Sequence, residues 1–248
     1  MGYLSIINLE ISKFMNAKEA PMFGVITLIT PKGGTGKSTL ARSLGAHWSL
    51  TGHRPALVDA DPQQTLAARY NPEGPMAGIP IVAEPEERVA DVIEDLRARH
   101  APVIVDTAGF RNRTAITALV ATDLAIIPVK PAIEDIEAAV AAFGLIQEIN
   151  DTPERKGRPI RCVMVLTMTM SSTVIARHAR AQLTEAGFPL LKAEMANRVA
   201  YPEAGIEGLS PSIVAPDGAA ARDIAAIAQE IMNLEIHEFG NAKKVARA

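Results

Sequence analysis

Residues 31–39 read Pro31, Lys32, Gly33, Gly34, Thr35, Gly36, Lys37, Ser38, Thr39. Three glycines let a backbone turn its N–H groups inward around a polyphosphate, where side chains would clash. In such a loop Lys37 would reach the β- and γ-phosphates and the Ser38 hydroxyl would hold Mg²⁺. Two further positions carry carboxylates of the right kind. Asp59 and Asp61 close an apolar run, Ala56 to Val58, and could organise Mg²⁺ and an attacking water. Asp61 is the candidate for orienting the water, Asp59 for the metal shell. Asp106 ends the apolar run Pro102 to Val105 and is followed by Thr107, Ala108 and Gly109. It would bind the Mg²⁺ shell through water, and Gly109 would let its loop approach the γ-phosphate. Each group has a plainer reading: a glycine-rich turn, an Asp-Pro turn capping a helix, a buried strand with an acidic cap.

Chemistry of this kind needs strands that end at one place. Phe23 to Ile29 is an apolar, β-branched run of strand length, and Leu40 to Trp48 reads as a helix. Strand, glycine loop and helix are the context that a phosphate loop requires, and the helix start near Lys37 adds its positive dipole end. Further strands are expected at 56–59, 79–82, 102–106, 124–129, 160–166 and 188–191. Helices are expected at 86–100, 136–150, 173–186 and 223–234. This alternation predicts an α/β fold, a doubly wound, mostly parallel sheet with helices on both faces and the site at the C-terminal ends of the strands.

The strict pattern G-x-x-x-x-G-K-S/T is not met, because Pro31 stands where its first glycine should be. Instead, Lys32 through Thr39 match K-G-G-x-G-K-S/T-T at every position, and the loop resembles the deviant Walker A motif of the ParA/MinD family of P-loop ATPases. Asp59 to Gln63 match that family's D-x-D-P-Q, and Asp106 its Walker B acid. The resemblance covers about residues 23–234. It implies a Mg²⁺-ATPase with ATP and Mg²⁺ as cofactors, held by Gly33, Gly34, Thr35, Gly36, Lys37, Ser38 and Thr39. It also implies that Lys32 reaches across an ATP-bound homodimer to the other subunit's nucleotide. Pro131 and Asp135 match a turn that positions the following helix. Arg198 to Ala204 resembles the R-V-x-F/Y-x-E-A run of small ParA proteins. Many relatives have an adenine-recognising Asn after the strand that here is expected to end at Leu166. The residue here is Thr167, so the backbone around Pro216 is a candidate to share that task.

At 248 residues, the chain fits one large domain. With 48% hydrophobic residues it can build a substantial core, and 4% aromatic content advertises no base-stacking platform. The single cysteine, Cys162, excludes a disulfide framework. No apolar run approaches the ~18 residues of a membrane span. The domain is assigned to 22–234, with 1–21 as an extension before Met22 and 235–248 as a polar tail. A cytoplasmic location, nucleoid-associated with ATP bound, is expected.

Net charge is −3, so nucleic-acid binding would need a local patch. Between 152 and 200, basic residues outnumber acidic ones eight to three. Arg177 and Arg180 on one predicted helix, with Arg198, are the candidates for non-specific contacts to DNA phosphates. Scattered solvated charge is the plainer reading. The family resemblance implies a ParA-type partition switch that positions plasmid, chromosome or other cargo, with a small ParB-type partner. The alternatives are a MinD-like membrane switch, a metabolic ligase of the same fold, or an accessory ATPase of DNA transfer or polysaccharide secretion. The basic tail lacks the large apolar residues that a membrane-binding helix needs.

Overall fold

The structure is a computed structural model in which residues 23–109, 112–170 and 173–234 are described. The expected extension at 1–21 and tail at 235–248 lie outside the described residues. Seven strands, β1 (Val25–Leu28), β2 (Ala56–Ala60), β3 (Ile81–Ala83), β4 (Val103–Thr107), β5 (Leu124–Val129), β6 (Arg161–Thr169) and β7 (Met195–Ala196), form one sheet in the order β3-β2-β4-β1-β5-β6-β7. All the neighbouring strands run parallel. The helices are α1 (Lys37–Leu50), α2 (Val89–Arg97), α3 (Arg113–Val120), α4 (Ile133–Asn150), α5 (Val174–Glu185), α6 (Ala200–Ile206), α7 (Pro211–Val214) and α8 (Ala219–Met232).

Successive residues of a strand face opposite sides of the sheet, so a sheet covered on both faces needs apolar residues at nearly every position. Ile26, Leu28, Leu57, Ile104, Val163 and Val165 pack with α1 and α8, through Leu40, Leu44, Trp48, Ile224 and Ile227. Their strand neighbours pack on the other face. Val25, Val58 and Val105 meet Val89 and Ile93 of α2, and Cys162, Met164 and Leu166 meet Phe143 and Ile146 of α4 and Leu183 of α5. Burial of Cys162 raises its thiol pKa, as suits a core residue.

Strand order reverses about β1: the chain leaves it for β2 on one side, and later crosses from β4 to β5 on the other. A crevice opens at such a point beyond the strand ends, and the glycine loop lies there. Pro128 sits inside a central strand without breaking the sheet. β5 pairs with β1 only through Leu124, Ala125 and Ile126, so Pro128 lies beyond that ladder and faces β6 alone.

Three expectations change. The segment 110–123, read without an element, carries α3; Asn112 caps it by accepting from Ala115 N at 2.6 Å. The strand expected at 188–191 reduces to a single bridge between Leu190 and Met164, and β7 is the last strand, at the sheet edge. The Glu230 carboxylate accepts from Lys192 N and Ala193 N, both at 2.8 Å, which draws the chain off the sheet after Leu191. β6 runs on to Thr169, so Thr167 lies within the strand and not after it.

Candidate nucleotide site

The loop of residues 30–36 links β1 to α1. Gly34 and Gly36 have φ of 71° and 91°, a region that side chains avoid. A Cβ on Gly36 would lie 2.9 Å from Met195 Cε, a flexible side-chain end that could give way, so it is the positive φ that favours glycine there. The loop is fixed from two sides. Thr167 Oγ1 on β6 donates to Thr35 O at 2.9 Å in a buried contact. Across the loop, a Cβ on Gly109 would lie 2.9 Å from Pro31 O, so the segment after β4 presses on the start of the loop. Thr107 Oγ1 donates to Leu28 O at 2.8 Å and ties β4 to β1 just below. Thr167, read as a departure at a base-recognising position, is therefore a loop anchor. Pro216 lies exposed in the turn between α7 and α8.

The two lysines of the motif part company. Lys37 is buried, with Nζ turned across the loop to donate to Lys32 O at 3.3 Å. Burial lowers its pKa, against the opposing charges of Asp106 and Asp61. Lys32 points outward, its side chain 41% exposed and its Nζ 3.7 Å from Asp135 Oδ2. Asp135 is in the first turn of α4, where the helix dipole favours a carboxylate. The expected Pro131–Asp135 turn thus supplies a partner for Lys32.

The three carboxylates also differ. Asp59 is wholly buried; Oδ2 accepts from Leu66 N and Ala67 N, both at 2.9 Å, and Oδ1 from Asp61 N at 3.3 Å. Burial raises its pKa while these amides oppose the rise. Three backbone donors already engage Asp59, so it organises the loop after β2, and a place in the metal shell would fall to the remaining lone pairs of Oδ1. Asp61 is half-buried and accepts from Gln63 N at 2.9 Å through one oxygen. Asp106 is wholly buried, and neither oxygen has a hydrogen-bond partner of full geometry. Burial pushes its pKa up to about 7; the Ser38 side chain nearby lowers it, Asp59 raises it and Lys37 lowers it.

These groups fit a hard cation beside a polyphosphate. Among the described residues, no cluster of three or more acidic, His or Cys side chains could enclose a metal by itself. Mg²⁺ commonly takes one or two protein oxygens and completes its shell with water and phosphate; the Ser38 hydroxyl would be such an oxygen, with Asp106 beside it to accept from a water of the shell. The buried carboxylate has a cost in the ligand-free protein. Because its folded pKa lies above the ordinary 3.8, stability falls as pH rises from about 3.8 to about 7 and is flat beyond. Asp106→Asn is therefore expected to raise the ligand-free Tm at pH 8 and leave it unchanged near pH 4. Melting curves at both pH values check this; an equal shift at both would mean that ionisation is not the cause.

Most of the basic residues counted between 152 and 200 have partners within the chain. Arg180 donates to Leu191 O at 2.9 Å and to Glu194 at 3.0 Å. Arg198 grips Asp223 with two bonds, of 2.7 and 3.0 Å. Arg155 is buried against Val120 O and Thr122 O, Arg158 pairs with Asp123, and Arg161 lies over the Phe23 ring. Arg180 and Arg198 are thus tied to acids in the ligand-free protein, so a DNA phosphate would have to compete with Glu194 and Asp223 for them; Arg177 is exposed on α5. Arg198→Ala should lower stability by about 1 kcal/mol for a pair this exposed, a Tm fall of roughly 2–4 °C. An unchanged Tm would remove the tie.

The family model for the CobQ/CobB/MinD/ParA nucleotide binding domain matches residues 26–211. The chain belongs to that family. Protein ParA of Rhizobium radiobacter is 28% identical over 182 residues, 71% of this chain and 80% of its own. The maintenance of carboxysome distribution protein A of Halothiobacillus neapolitanus is 27% identical over 196 residues, 77% of this chain and 88% of its own. Among solved structures, the septum site-determining protein MinD of Pyrococcus horikoshii, complexed with Mg-ADP, superposes with a TM-score of 0.67 at 15% identity, covering 84% of this chain and 95% of that one. A ParA family ATPase of Chlorobium tepidum gives 0.63 at 17%, covering 83% and 97%. These likenesses establish the ParA/MinD fold of P-loop NTPases. Among the described residues no helix is long and apolar enough to cross a membrane.

Proposed function

We propose that this protein is a Mg²⁺-dependent ATPase switch of ParA type, which dimerises around ATP to position plasmid, chromosome or another cargo. The observation that carries the reading is the division of labour between the two lysines. Lys37 is buried within its own loop, whereas Lys32 is turned outward onto Asp135 at the loop's mouth. A cation placed there can exchange Asp135 for a phosphate on another subunit. In the bound state Mg²⁺, held by Ser38 and through water by Asp106, would neutralise phosphate charge. Lys37 and the loop amides hold the phosphates, Asp61 orients water, and the Thr167 contact keeps the loop in shape. Similarity to ParA and to the carboxysome distribution protein supports a positioning role. The surface worked on is non-specific DNA, with a small ParB-type partner to trigger turnover.

The test is self-association. Light scattering with a non-hydrolysable ATP analogue should show a dimer of the parent protein and a monomer of Lys32→Ala, with nucleotide affinity retained in both. A variant dimer as stable as the parent's would confine Lys32 to its own subunit. A mobility shift of random duplex DNA that requires ATP would support the DNA-bound form of the switch. Its absence at low salt would remove that form.

A further inference from the structure

A third lysine stands at the loop. β5 ends at Val129, paired with Leu166 of β6, and the next residue is Lys130, whose carbonyl accepts from Ala132 N at 2.8 Å and so fixes the turn into α4. Its Nζ lies 3.9 Å from the position a Cβ would take on Gly34. Gly34 is exposed at the mouth of the loop. The other two ammonium groups have partners within the chain: Lys37 has Lys32 O, and Lys32 has Asp135. Among the described residues Lys130 forms no ion pair, and its ammonium no hydrogen bond, although the residue is half-buried. The ammonium is not among the buried unpartnered atoms, so it keeps contact with water and can turn onto an anion in the loop without first breaking a bond.

We propose that Lys130 is a third ammonium contact to the polyphosphate, made within the same subunit over the edge of the loop at Gly34. This rests on the reading of the loop as an ATP site. The placement explains why position 34 needs glycine for more than its positive φ: a side chain there would stand between the ammonium and the loop's contents. It also gives the subunit a cation for its own phosphates while Lys32 is held on Asp135.

The test is calorimetric titration of the full chain with Mg-ATP and Mg-ADP, comparing Lys130→Ala, Lys130→Arg and Lys37→Ala with the parent. Lys130→Ala is expected to weaken binding by about ten- to a hundredfold, with a shallower salt dependence and an unchanged ligand-free Tm. Lys130→Arg should recover most of the loss. Weakening of ATP alone would place the contact on the terminal phosphate and still support it. Undiminished affinity in Lys130→Ala alongside an impaired Lys37→Ala would overturn this inference and leave the ATP site standing; an unimpaired Lys37→Ala would overturn the ATP site itself. Intact affinity with lost ATP-driven self-association would turn Lys130 toward the partner subunit, against the proposal. Weaker binding with an equal fall in ligand-free Tm and no rescue by arginine would make it a structural residue, also against.

Discussion

Lys37→Ala is expected to abolish tight ATP binding. The side chain is buried, so its charge acts through a medium less polar than water. It already bridges the loop to Lys32 O, so little reordering is needed to meet a phosphate. Its removal leaves Asp61 and Asp106 near the phosphate site with one fewer cation to oppose them. A charge-assisted contact to phosphate is worth on the order of 3 kcal/mol, and repulsion from the two acids adds to the loss, so affinity should fall at least about a hundredfold. Calorimetry with Mg²⁺ reads this directly, with circular dichroism to confirm the fold. Parent-like affinity would remove the phosphate-loop assignment.

Asp61→Ala should have the opposite pattern: ATP bound as well as before, hydrolysis slowed by about 10²–10⁴-fold. The bond from Gln63 N fixes the direction of the Asp61 carboxylate and engages one oxygen. The other is left to orient a water at the strand ends, close enough to Lys37 and Asp106 for their charges to be felt. Loss of this negative charge removes repulsion from the phosphates, so binding should not weaken. Single-turnover phosphate release, with ATP affinity measured in parallel, separates the two effects. Hydrolysis at the parent rate would leave Asp61 as a turn residue, and a loss of affinity would place it in binding.

The phosphate loop and its flanking strand and helix were legible because glycine spacing and apolar runs are local signals. β2, β4 and β5 were legible for the same reason, since a strand buried on both faces has few polar residues to interrupt it. α3 was missed although Asn112 is a good cap and Ala115, Ala118 and Leu119 follow helical spacing; the short apolar stretch gave no length to decide by. The partners of the basic residues were hidden for a different reason. Counting charge along the chain cannot see partners distant in sequence, and Asp123 and Asp223, which take Arg158 and Arg198, lie outside the stretch that was counted. For Asp59, sequence shows that a carboxylate is present but not that Leu66 and Ala67 fold back onto it. The Lys32–Asp135 pair and the Thr167 anchor join segments over a hundred residues apart, and no spacing rule reaches so far.

The contact between Gly109 and Pro31 joins the loop after Asp106 to the residue that precedes Lys32. With backbone against backbone at that point, there is no side chain whose rotation could absorb a shift. Movement of the segment 107–109 toward the loop would therefore push on residue 31, next to Lys32. A change at the buried acid would thus be felt as a change in where the outward lysine points.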